Sequence, residues 1–129
     1  MLAFERADIP NQWQLPQGGL KQREEPLEAA FREIEEETGI HSSQLELVGD
    51  YPEPLAYELP PDARKGKTGR GQVQYWFLFK LKDIAYKFDP SESKEFRMSR
   101  WISMRKLLDE VVRFRVPVYR KLADYFRLL

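Results

Sequence analysis

Cysteine is absent from the 129 residues. Disulfides and thiolate metal sites are therefore excluded, and a reducing compartment is permitted. No apolar stretch nears the roughly 20 residues that a membrane-spanning helix needs, so no membrane partner is expected. A net charge is also missing. The 21 basic residues balance 21 acidic ones, where a dedicated nucleic-acid binder usually carries a basic excess. Histidine occurs once, as His41, and reads as a surface residue. The first ten residues carry Glu5, Arg6 and Asp8 and no signal-peptide core, which leads to the expectation of a cytoplasmic protein.

What is present is globular in character: 42% of residues are hydrophobic and 33% are charged. The length fits one domain over residues 1–129, with no internal repeat and no linker. The charges are segregated. Residues 23–37 are dominated by glutamate, whereas residues 64–70 hold Arg64, Lys65, Lys67 and Arg70 with no acid. An acidic helix that holds a cation and a basic loop that attracts phosphates can cooperate.

Residues 2–6 alternate loosely and read as a short strand, as does Trp13-Gln14-Leu15 before Pro16. Pro26 suits the first turn of a helix, where its missing N–H costs nothing. Leu27, Ala30, Phe31 and Ile34 recur at helical spacing, and Thr38-Gly39 closes the element with Gly39 as a left-handed cap. Strands follow at Leu45–Val48 and near Leu55–Leu59. Val73 to Leu81, with its run of Tyr75, Trp76, Phe77, Leu78 and Phe79, predicts one central strand. Trp76, Phe77 and Trp101 are read as core. Arg100-Trp101-Ile102 is a further strand, Ser103 caps a helix over 104–110, and Pro117 opens a last helix to about Phe126. Strands alternating with helices predict an α/β arrangement.

The chemistry concentrates in the helix spanning about residues 26–38. At about 100° per residue, Glu33, Glu36 and Glu37 fall within an arc of about 100°, away from Leu27, Phe31 and Ile34. Like charges at these spacings repel by a few tenths of a kcal/mol per pair. A hard divalent cation with oxygen ligands turns that repulsion into attraction, and Mg²⁺ suits the site because it takes few carboxylates and keeps other oxygens. A solvated acidic face is the plain alternative for such a helix.

The surrounding residues favour the first reading. Gly18 is followed by five residues, Glu24, seven residues, and then Arg32-Glu33-Ile34-Glu35-Glu36-Glu37-Thr38-Gly39-Ile40. This pattern resembles the signature of the Nudix hydrolase family at every fixed position, some nine over 23 residues. The resemblance implies an α/β/α sandwich (α+β) with a mixed sheet between helices. It also implies Mg²⁺-dependent hydrolysis of a diphosphate linkage, with Mn²⁺ as a substitute. Glu33, Glu36 and Glu37 match the family's metal-binding glutamates, and Gly18 the glycine whose carbonyl often touches the metal. Glu24 and Arg32 match the supporting glutamate and arginine; a simple salt bridge is the alternative for that pair.

The flanks are similar to the branch of RNA pyrophosphohydrolases and dinucleoside polyphosphate hydrolases. Trp13 to Gly19, Gly71 to Phe77, Glu95-Phe96 with Arg100-Trp101, and Val112 to Arg120 carry that likeness. Val73 and Tyr75 stand where the branch favours lysine, which weakens phosphate contact there. The likeness makes Glu95 a further metal ligand or the base. Arg113, Phe114 and Arg115 would meet the nucleotide end, since an aromatic between guanidiniums suits a base beside a phosphate. Plain packing is the alternative for Phe114. Arg64, Lys65, Lys67 and Arg70 would hold the polyphosphate tail, with a solvated loop as the alternative.

The expected substrate is thus a small nucleotide or an RNA 5′ end. A non-catalytic nucleotide-binding or regulatory module is the rival, supported by the short N-terminus. Family members usually have a full strand before residues 2–6, and only 12 residues precede Trp13 here. The expectation is a missing N-terminal strand or another element in its place, and a monomer of reduced stability or a homodimer joined at the gap.

Overall fold

The computed structural model describes residues 1–58 and 71–129. Its strands are β1 (Leu2–Arg6), β2 (Trp13–Gln14), β3 (Leu45–Asp50), β4 (Leu55–Glu58), β5 (Gly71–Gln74), β6 (Phe77–Leu81) and β7 (Phe96–Trp101). Its helices are α1 (Pro26–Thr38), α2 (Met104–Glu110) and α3 (Val116–Tyr125). The basic segment with Arg64, Lys65, Lys67 and Arg70 lies outside the described residues. No described helix is long and apolar enough to cross a membrane.

The chain is of mixed α+β class, as expected. Among the described residues the strands form three antiparallel ladders, ordered β2-β1-β7, β3-β6 and β4-β5. β1 is central in the first. Its register sets Phe4 opposite both Gln14 and Ser99, and a shift between Glu5 and Arg6 brings Arg6 opposite Phe96.

The expected continuous strand from Val73 to Leu81 divides into β5 and β6 at Tyr75-Trp76. Propensity favoured an unbroken strand, but packing and a loop bond decide otherwise. The Trp76 carbonyl accepts from the Tyr51 N–H at 2.9 Å, beyond the end of β3. The indole is buried at 8% exposure and meets Tyr119 edge-on at 5.9 Å. Trp101, expected in the core, is 54% exposed. Its neighbours explain this: Ile102 is buried, and the Arg100 guanidinium lies over the Trp13 ring at 4.2 Å. Alternation along the strand turns Trp101 outward.

Two apolar clusters fix these elements. One gathers Trp13, Trp76, Ile102, Leu107, Val118, Tyr119 and Leu122; the other gathers Phe4, Ile40, Leu81 and Phe96. Each large side chain fully removed from water stabilises the fold by about 1.5–3 kcal/mol. Tyr119 is fully buried and its hydroxyl accepts from the Leu15 N–H at 2.9 Å, which anchors α3 to the segment leaving β2. A cavity of about 300 Å³ is lined by Leu2, Ala30, Ile34, Phe77 and Phe79, and reaches Gly18 and Glu33.

Candidate active site

Helix α1 forms where its sequence dictates. Pro26 occupies the first turn, and Gly39, at φ 79°, caps the other end with its N–H donating to the Glu35 carbonyl at 2.8 Å. Leu27, Ala30, Phe31 and Ile34 are half-buried, and Phe31 meets Phe79 at 5.0 Å. The segment from Leu15 to Glu24 runs along the acidic side. Its turn closes through Arg23, which adopts φ 65°, and through the Glu24 N–H donating to the Lys21 carbonyl at 3.1 Å. A left-handed φ is uncommon for an arginine and costs backbone energy.

Arg32 binds this segment to the helix. Its Nε and Nη2 donate to the two Glu24 oxygens at 2.6 and 2.8 Å, and Nη2 also donates to the Gly19 carbonyl at 2.9 Å. Nη1 reaches Glu33 at 2.7 Å and Glu36 at 3.1 Å. The forked geometry is the reason for arginine here. The guanidinium holds the Glu24 carboxyl down at about 2, and the carboxylates raise Arg32 in turn.

Gly18 lies directly against the Glu33 carboxylate, so that a Cβ on it would run into that side chain. Gly19 has open space instead. Glu37 is the unusual acid. It is 7% exposed, and its Oε2 accepts from the Gln17 N–H at 3.0 Å. Burial pushes its carboxyl up to about 8, and the nearby charges of Glu33, Glu95 and Glu36 push the same way. Glu95 itself is exposed, just before β7. Its backbone is held on both sides: its N–H donates to Ser93 Oγ at 3.2 Å, and its carbonyl accepts from the Ala7 N–H at 2.8 Å.

Of the sequence-predicted acids, Glu33 and Glu36 meet at Arg32, and the charges of Glu33, Glu36 and Glu95 all act on Glu37. No three acidic or histidine side chains among the described residues stand in ready ligating geometry. Arg32 draws Glu33 and Glu36 to itself. The donor set is nonetheless one of hard oxygens around a buried carboxyl, the kind that suits a divalent cation once those two acids release the guanidinium.

The expected nucleotide contacts are divided. Arg113 is exposed, Phe114 is half-buried against the core, and Arg115 is 5% exposed with its guanidinium 4.9 Å from the Phe114 ring. Arg115 thus stacks within the protein rather than standing in solvent, because a planar guanidinium pairs well with a ring face. His41 is exposed, as expected, and bonds Glu35 at 2.7 Å. Sequence reading missed the Gln17 N–H, since a backbone donor has no residue signature.

Residues 1–122 match the NUDIX domain family. "Nudix hydrolase 26, chloroplastic" of Arabidopsis thaliana is 37% identical over 131 residues, covering 94% of this chain and 60% of that protein. An "RNA pyrophosphohydrolase" of Helicobacter pylori is 40% identical over 124 residues, covering 95% of this chain and 79% of that one. The chain thus spans less than two thirds of the plant relative and about four fifths of the bacterial one. Among solved structures, the E. coli dihydroneopterin triphosphate pyrophosphohydrolase superposes with a TM-score of 0.74 at 21% identity, over 93% of this chain and 82% of that one. That likeness is one of fold.

Proposed function

The chain belongs to the NUDIX family, and from that premise we propose that it is a Mg²⁺-dependent pyrophosphohydrolase acting on nucleotides. Its substrates are RNA 5′-triphosphate ends or dinucleoside polyphosphates. The observation that supports the reading is the buried Glu37, held by the Gln17 N–H and on the same helix as Glu33 and Glu36. Two of these acids now share the Arg32 guanidinium as counter-charge, and a cation would take its place.

Glu33, Glu36 and Glu37 would hold the ion, with the Gly18 carbonyl beside them, and Mn²⁺ would substitute. When bound, the ion neutralises the diphosphate and lowers the pKa of attacking water. The chain's own groups do the rest. The Gln17 N–H fixes Glu37, the Arg32–Glu24 fork fixes the loop that carries Gly18, and Gly18 lets Glu33 close on that loop. Glu95 either completes the donor set or takes the proton of the attacking water. Arg113 is exposed and available to a phosphate. Arg64, Lys65, Lys67 and Arg70 supply the cations for the polyphosphate tail.

The Helicobacter relative's name favours an RNA end, while zero net charge and an exposed Val73 on β5 favour a smaller substrate. Strong RNA affinity rests on counterion release. Phosphate release from triphosphorylated RNA and from diadenosine tetraphosphate, with and without Mg²⁺, tests the proposal. A salt titration of RNA binding then separates the two substrates: a steep slope supports RNA and a shallow one the dinucleotide. No Mg²⁺-dependent release from either substrate would leave a non-catalytic nucleotide-binding module.

A further inference from the structure

The connection between β6 and β7 is polar, yet it is tied firmly to the end of α1. The Tyr86 hydroxyl donates to the Thr38 carbonyl at 3.0 Å. Thr38 follows Glu37 directly and is fully buried. Its own hydroxyl donates to the Ile34 carbonyl at 2.6 Å and accepts from the Ile40 N–H at 3.2 Å. Tyr86 and Phe88 pack against the cluster of Phe4, Ile40, Leu81 and Phe96, and Phe88 meets Phe4 edge-on at 5.4 Å. Further along, the Glu92 side chain fills the space beside Gly39. Ser93 Oγ then accepts from the Glu95 and Phe96 N–H groups at 3.2 and 3.0 Å.

These contacts form one strap. It starts at the residue after Glu37 and ends at Glu95, the acid whose charge acts on Glu37 across the site. Glu95 is exposed, so little side-chain packing places it. Its position is set by the backbone, which Ser93 Oγ holds from the strap and the Ala7 N–H holds from the end of β1.

The geometry points to Tyr86 and Ser93 as positioning residues: the Tyr86–Thr38 bond ties the strap to α1 and Ser93 Oγ ties it to the Glu95 backbone, which together hold Glu95 in register with the glutamates of α1. This rests on the pyrophosphohydrolase reading only in giving Glu95 a task. The hydroxyl also satisfies a carbonyl at the end of α1, where helices leave acceptors unmet. A cap alone contributes stability. A positioning residue governs turnover through Glu95.

Tyr86→Phe removes the hydroxyl and keeps the ring. It is expected to lower kcat about tenfold, at the lower end of what supporting shells contribute, with KM nearly unchanged. Ser93→Ala is expected to do the same. In a Glu95→Gln background both losses should vanish, since residues acting through one group are not additive. In the metal-free protein, amide exchange at Ala7, Glu95 and Phe96 should speed up in Tyr86→Phe while the middle of α1 keeps its protection.

Equal losses in the wild-type and Glu95→Gln backgrounds would overturn the inference. So would a lower Tm with kcat unchanged, or unaltered exchange at those three amides. A wild-type chain without Mg²⁺-dependent hydrolysis sinks the functional reading instead, and amide exchange still decides whether the hydroxyl holds Glu95.

Discussion

The Gln17 N–H donates to Glu37 Oε2 at 3.0 Å, joining the loop before α1 to a carboxyl near the end of that helix. This bond favours the ionised acid, but burial and three neighbouring carboxylates outweigh it and leave the group near 8. The folded chain therefore holds a proton on Glu37 that the unfolded chain releases near the ordinary carboxyl value of 4.5. Stability of the metal-free protein should fall as pH rises from about 5 to about 8, because in that window the unfolded state binds fewer protons. Glu5 and Glu24 are shifted the other way, so their contributions are lost only in acid. Thermal melts of chelator-treated protein should show Tm declining toward pH 8. Added Mg²⁺ should raise Tm more at pH 8 than at pH 5, and Glu37→Gln should flatten the profile.

Two adjacent glycines should respond differently to alanine. A methyl on Gly18 meets the Glu33 carboxylate, whereas one on Gly19 meets nothing. Gly18→Ala should lower kcat/KM by about tenfold or more, because small misplacements of a positioned group cost heavily. Gly19→Ala should stay within about 0.5 kcal/mol of wild-type stability and close to its activity. Steady-state kinetics and melts of the pair check this, and equal effects at the two positions would count against Gly18 as a positioning element.

Removing the Tyr119 hydroxyl should weaken the fold without touching the acids. In Tyr119→Phe the buried Leu15 N–H loses this acceptor. A buried donor without a partner costs about 1–3 kcal/mol. Denaturant titration should show a lower midpoint with an unchanged slope, and the kcat of the folded enzyme should change little.

The parts legible in sequence were those governed by local chemistry. Helix α1 runs from Pro26 to Thr38 as read, because a proline at one end, a glycine at the other and a period of apolar residues all act within the helix. Ser103 capping α2 is of the same kind, its hydroxyl accepting from the Lys106 N–H at 3.1 Å. Long-range contacts were not legible. Tyr51 breaking the run at Trp76, Tyr119 reaching Leu15 and Tyr86 reaching Thr38 join residues 25 to 104 positions apart, and no spacing rule carries that information. At the site, the gathering of Glu33, Glu36 and Glu37 followed from helical geometry. The burial of Glu37 and the inward stacking of Arg115 did not, because both depend on what other elements place over them.

Glu36→Gln asks whether the acids of α1 hold the catalytic ion. Glutamine keeps the shape and an oxygen acceptor for Arg32, which now bonds Glu36 at 3.1 Å, but removes a charge that presses on Glu37. Mg²⁺-dependent hydrolysis should fall by about a hundredfold or more while Tm holds or rises. Turnover within about threefold of wild type would contradict it.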